Sequence, residues 1–172
     1  MRGRFSALAV VALIALAVFA SAALSADGGT DRPFTGTLAG SATFPEDSTC
    51  PFTGRRTWSE GSGTASHLGL VSMSSNHCVV PIDGLPIGMQ GEMTLVAANG
   101  DEVHMTYTGT CGPFPFPPVG ETITCNSENV IVGGTGRFAN ATGEAHVTAL
   151  VTFAGGVPVW PITWTWDGTL SY

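Results

Sequence analysis

The chain has 172 residues, a formal charge of −7 and 11% charged residues, with 23 Gly and 11 Pro. It contains no Lys, and its basic residues are Arg2, Arg4, Arg32, Arg55, Arg56 and Arg137. These are too scattered for a nucleic-acid surface, which needs clustered cations to displace counter-ions. An apolar share of 44% excludes intrinsic disorder, and no heptad or helical periodicity after the N-terminus suggests a bundle.

Residues 1–26 read as a secretory signal. Arg2 and Arg4 form a positive start, Ala7–Ala20 is an apolar run, and Ala20-Ser21-Ala22 offers small residues for cleavage. Phe5–Leu24 is nearly long enough to span a bilayer, so an uncleaved anchor is the competing reading. The small residues at its end favour cleavage, and no Cys follows to carry a lipid. Residues 27–172 then form a single domain with four Arg against 13 acids, a net charge of −9, and no stable membrane span. A chain of that length can bury its own core.

Residues 34–44 alternate strictly. Phe34, Gly36, Leu38, Gly40, Ala42 and Phe44 share one face, and Thr35, Thr37, Ser41 and Thr43 share the other. This is the pattern of a half-buried antiparallel strand, with glycines suited to sharp curvature. A further strand is expected over 62–72, where His67 has no clear phase and reads as a core or rim residue.

A hairpin is expected over 91–108, with Asn99-Gly100 at its tip. A two-residue loop would pair Leu95 with His104 and mix the faces. A three-residue loop, Ala98-Asn99-Gly100, pairs Leu95 with Val103, Met93 with Met105 and Gly91 with Tyr107, with Gly100 left-handed. Glu92, Glu102 and His104 then share the opposite face. Such spacing can hold a metal, but durable sites usually carry more His, and no metal is expected.

Four cysteines follow the signal: Cys50, Cys78, Cys111 and Cys125. An even count in an exported chain reads as two disulfides, and no C-x-x-C pair suggests a metal instead. Sequence alone permits three connectivities. Cys111 and Cys125 bracket the Pro-rich run Gly112–Pro118, which can form neither ladder nor helix, so a staple at its base is favoured and leaves Cys50–Cys78.

Residues 124–132 form another expected strand. Glu128 shares a phase with Val130 and Val132 and is the one carboxylate read as facing inward, unless the strand is irregular at its start. Val132–Phe138, rich in Gly, lacks the Lys–Ser/Thr pair and following helix of a phosphate loop, so it reads as a tight turn needing positive φ. Asn140-Ala141-Thr142 matches the glycosylation triplet, which matters only in a host that glycosylates.

Residues 145–153 and 160–172 alternate again and are joined by a Gly/Pro loop. Pairing Phe153 with Trp160 sets Ala149 beside Trp164 and Val147 beside Trp166, small against large. His146 and Asp167 then lie opposite one another on the outer face as a cross-strand pair. No nucleophile accompanies them.

Six or more strands with hairpin-like connections point to an all-β fold, either a sandwich or a closed antiparallel barrel. The short connections favour an up-and-down, calycin-like barrel of about eight strands.

The run Gly133-Gly134-Thr135-Gly136-Arg137-Phe138-Ala139-Asn140-Ala141-Thr142-Gly143 resembles the corresponding turn of allene oxide cyclases and dirigent proteins. His67-Leu68-Gly69, Ala97-Ala98-Asn99-Gly100-Asp101-Glu102 and Gly168-Thr169-Leu170-Ser171-Tyr172 look like those of exported bacterial proteins with the same barrel. The resemblance implies an eight-stranded barrel with an apolar cavity and, in the plant relatives, a trimer. It carries over no catalytic residue.

The favoured function is therefore binding of a small apolar molecule inside the barrel. Met93, Leu95, Met105, Tyr107, Val147 and Ala149 are expected to line the site, with Trp164 and Trp166 nearby. The alternatives are a cofactor-free cyclase or isomerase using Glu128, and a solid scaffold acting through its surface. No cofactor is expected.

Overall fold

A computed structural model describes residues 29–172; the signal expected over 1–26 lies outside the described residues. Eight strands follow one another: β1 (Arg32–Thr43), β2 (Arg56–Ala65), β3 (Gly69–Ile82), β4 (Leu85–Ala97), β5 (Glu102–Gly112), β6 (Thr122–Gly134), β7 (Thr142–Thr152) and β8 (Val159–Ser171). Each pairs antiparallel with its neighbours in sequence, and β8 pairs back onto β1, giving a closed up-and-down barrel. Closure leaves no strand edge unpaired. Among the described residues no helix is long and apolar enough to cross a membrane.

The alternation sets which face is buried. In β1, Phe34, Leu38 and Ala42 are buried between exposed or half-buried neighbours. The β4–β5 turn has the three-residue form, with Leu95 opposite Val103, Met93 opposite Met105, Gly91 opposite Tyr107 and Gly100 at φ 87°. Ala149 faces Trp164 and Val147 faces Trp166 across β7 and β8.

The strand expected over 62–72 is instead two strands, because the chain reverses between Ala65 and Gly69. His67 takes φ 67° in that turn, and its Nε2 lies 2.9 Å from the Pro33 carbonyl. The glycine-rich run expected as a tight turn begins inside β6, where Gly133 pairs with His104 beside a bulge, and the chain turns after Gly134. Gly133 and Gly136 have φ 134° and 55°, and one 3-10 turn over Gly136–Phe138 brings Phe138 into the core.

The interior is divided lengthwise. Towards the β2–β3, β4–β5 and β6–β7 turns it is packed solid by Phe34, Leu38, Leu95, Val103, Phe138 and Leu170, none more than 1% exposed. Trp166 joins this plug by lying over Gly36, where a Cβ would fall 2.0 Å from its ring carbon Cζ2. The space that Gly36 vacates is therefore already filled.

Both disulfides are present, Cys50–Cys78 and Cys111–Cys125. Cys111 and Cys125 are direct partners across β5 and β6, at the base of the Pro-rich loop. Cys50–Cys78 ties the β1–β2 loop to β3. Arg56 braces that loop with bonds to Asp47 Oδ2 (2.6 Å), Asn76 Oδ1 (2.7 Å) and Thr49 Oγ1 (3.0 Å). Thr49 and Arg56 hold the Asp47 carboxyl at about 2, below its ordinary 3.8.

Candidate functional site

At the opposite end of the barrel the inward side chains shrink or turn polar, and a cavity remains. It measures about 120 Å³, counting only the space that the centre of a water-sized sphere can reach. One wall comes from β7, β8 and β1: Val147, Ala149, Val151, Ile162, Trp164 and Ala42. The facing wall, from β2, β3, β5 and β6, sets Thr57, Ser59, Ser75, His77, Tyr107 and Ser127 among the apolar Val79, Cys111, Ile123 and Cys125. Met89 and Met93 lie between them on β4. The mouth is aromatic. Trp160 packs against Phe44 (ring centroids 4.6 Å apart), Phe153 (5.0 Å) and Phe116 (6.2 Å), and Phe116 is delivered by the Pro-rich loop.

His77 and Tyr107 are the titratable groups of this wall. His77 Nδ1 lies 2.9 Å from Tyr107 Oη, reaching across β4 at Gly91, which is the register partner of both. A Cβ on Gly91 would stand 2.6 Å from His77 Cβ, so only glycine leaves room for this contact. Burial, with the Arg56 charge nearby, pushes His77 down to about 4 from its ordinary 6.5. Burial raises the Tyr107 phenol well above its ordinary range, and the Ser75 hydroxyl offsets this only in part. Both groups are thus neutral around pH 7. Deeper in, Ser127 donates to Asn129 Oδ1 at 2.7 Å, while Asn129 Nδ2 has no partner among the described residues.

Five of the eight side chains expected at the site line this cavity: Met93, Tyr107, Val147, Ala149 and Trp164. Leu95, Met105 and Trp166 do not. They share the inward phase but lie at the levels occupied by the plug, because alternation fixes the face of a residue and not its height in the barrel.

Glu128 points outward, with its side chain 76% exposed and bonded to His146 Nδ1 at 2.9 Å. Val130 and Val132, which suggested its inward phase, are also exposed, at 53% and 58%. The inward phase of β6 is instead Ile123, Cys125, Ser127, Asn129 and Ile131, and Ile123, Cys125 and Ile131 could have revealed it. His146 and Asp167 are register partners, but the His146 ring turns to Glu128. His104 bonds Glu102 at 2.7 Å on the outer face and has Thr94, not Glu92, opposite it.

The sequence reading missed Thr57, Ser59, Ser75, His77 and Ser127. The parity of Val71, Met73 and Val79 marks Ser75 and His77 as inward, a signal that the 62–72 assignment obscured.

Fold and site together define a closed β-barrel that is packed at one end and hollow at the other. Compared with family models, curated proteins and solved structures, the chain matches none.

Proposed function

We propose that this is an exported binding protein that holds a small, mostly apolar molecule in the hollow half of its barrel. The observation that carries the reading is the unfilled volume beside Ala149, Ile162 and Trp164. Eight strands enclose room for side chains or one small guest, and an apolar cavity of about 150 Å³ is enough to take up benzene. The two disulfides are compatible with an oxidising, extracytoplasmic compartment.

The His77–Tyr107 contact favours a second reading, a cofactor-free cyclase or isomerase of the kind the allene oxide cyclase and dirigent resemblance suggests. General acid–base catalysis works best with groups that titrate near the operating pH, and both of these titrate far from it. Hydrogen bonding to a guest suits the pair better than proton transfer.

Native mass spectrometry of protein purified from its own host tests binding directly. Wild type should carry a small molecule that leaves on denaturation. Ala149→Phe, which places a ring in the cavity, should not. Wild type that arrives empty and also takes up no p-xylene would overturn the proposal.

A further inference from the structure

We infer that the guest is an uncharged amphiphile whose hydroxyl or carbonyl group docks on the His77–Tyr107 pair while its apolar body lies against Ala149, Ile162 and Trp164. This rests on the binding reading above and adds the chemistry of the ligand.

The cavity is mostly apolar, with its polar side chains gathered on one side around the His77–Tyr107 pair. A wholly apolar guest would leave the Thr57 and Ser59 hydroxyls, and the remaining hydrogen-bonding capacity of the His77–Tyr107 pair, facing hydrocarbon. Each buried polar group left without a partner costs free energy, so such a guest fits one wall and offends the other. Ser75 bonds the Tyr107 phenol. Thr57 and Ser59 line the cavity and donate no side-chain hydrogen bond within the described residues, although each is at most 9% exposed. Their hydroxyls are free to meet a guest or the water that it displaces.

The pair itself is adaptable. His77 and Tyr107 share a single hydrogen bond, and neutral imidazole has two tautomers. If Nδ1–H donates to the phenol oxygen, the Tyr107 O–H remains as a donor and Nε2 as an acceptor. If Tyr107 donates to Nδ1, Nε2–H becomes the donor and the phenol oxygen the acceptor. Either way one donor and one acceptor remain, which matches a hydroxyl fully and a carbonyl through the donor alone.

Charge is disfavoured from both sides. No Arg, Asp or Glu of the described residues lines the cavity. Arg56, the nearest cation named by its effect on His77, is committed to Asp47, Asn76 and Thr49 outside the barrel. A carboxylate guest would lose its hydration with no counter-ion to replace it, and so would an ammonium.

Three probes of nearly equal shape separate the terms: p-xylene, p-cresol and p-toluate. Binding to the folded, oxidised protein can be followed by calorimetry at neutral pH. Wild type should bind p-xylene and p-cresol, and p-toluate at least about tenfold more weakly than p-cresol. Tyr107→Phe should weaken p-cresol by about tenfold and leave p-xylene within about twofold, the signature of one lost hydrogen bond. His77→Phe attacks the same pair from its other member and should give the same pattern, so the test stands if one variant fails to fold. If both variants change p-cresol and p-xylene alike, or p-toluate binds as well as p-cresol, this inference falls while the binding reading survives. If neither p-xylene nor p-cresol binds wild type, the binding reading falls with it.

Discussion

The imidazole of His77 meets the phenol of Tyr107 across the bare backbone of Gly91, Nδ1 to Oη 2.9 Å, so that two strands separated by a third share a hydrogen bond inside the barrel. The missing side chain is as much a part of this contact as the two that are present.

Gly91→Ala should therefore act on both stability and the contact. Its Cβ would lie 2.6 Å from His77 Cβ and 2.0 Å from the Asn76 carbonyl oxygen, neither of which is a flexible chain end. Overpacking of this kind costs about 1–3 kcal/mol. Urea denaturation gives the cost, and the His77 ring resonances in NMR should shift. Wild-type stability with unmoved resonances would refute the packing argument.

Acid should destabilise the protein through His77. Folded His77 titrates at about 4 against an ordinary 6.5, so between those values the unfolded chain binds more protons. Stability is then full above roughly pH 6.5 and declines towards pH 4, by at most about 3 kcal/mol. Asp47 acts in a separate, lower window, between its ordinary 3.8 and about 2. Urea midpoints measured down to about pH 4.5 should fall in wild type and stay nearly flat in His77→Gln, which keeps a polar side chain without the titration. Equal slopes would assign the acid sensitivity elsewhere.

Gly36 and Trp166 form the same kind of couple at the packed end. Gly36→Ala puts a methyl 2.0 Å from the indole Cζ2 and should cost about 1–3 kcal/mol. Combined with Trp166→Leu, the loss should be smaller than the sum of the two single losses, because the smaller chain gives the methyl room. Strict additivity in a double-mutant cycle would show that the two residues do not compete for one space.

The disulfides close loops of different length, with sequence separations of 14 for Cys111–Cys125 and 28 for Cys50–Cys78. Replacing both members of a pair by Ser should cost about 3 kcal/mol for the first and about 3.5 kcal/mol for the second on the loop-entropy account. Thermal melts of the two double-serine variants under non-reducing conditions measure this. Losses under about 1 kcal/mol would mean that the strands already hold those loops without the bonds.

Glu128→Gln serves as a surface test. The carboxylate is exposed and, among the described residues, bonds only His146, so the change should move stability by less than about 0.5 kcal/mol and leave p-xylene binding intact. A loss of binding would return Glu128 to the interior.

The walls of the barrel are legible in the sequence because period-two alternation is a direct imprint of the pleat. Face segregation alone points to the β4–β5 register at Leu95 and Val103, and the Pro-rich loop favours Cys111–Cys125 among three connectivities. The division into plug and cavity is not legible. Leu95 and Met93 have the same phase and similar chemistry, yet one is plug and the other lines the cavity, since height depends on how all eight strands stagger. Polarity misleads at β6, where the outer face carries Val130 and Val132 and the inner face Ser127 and Asn129. Only Ser127 of these four residues lines the cavity; Asn129 is buried deeper and bonds Ser127.

The β1–β8 seam brings the two ends of the described chain together. Tyr172 Oη accepts from Arg32 Nη1 at 3.0 Å, Ser171 donates to Asp31, and an added Cβ at Gly29 would fall 2.5 Å from the Tyr172 nitrogen. In spatial terms the barrel is a ring of eight equivalent adjacencies, seven spanned by a loop and one left open. The covalent gap is thus interchangeable with a turn. Bridging residues 29 and 172 and cutting within Ala98-Asn99-Gly100 would give a circular permutant with the same eight pairings, its Leu95–Val103 rung now the noncovalent seam.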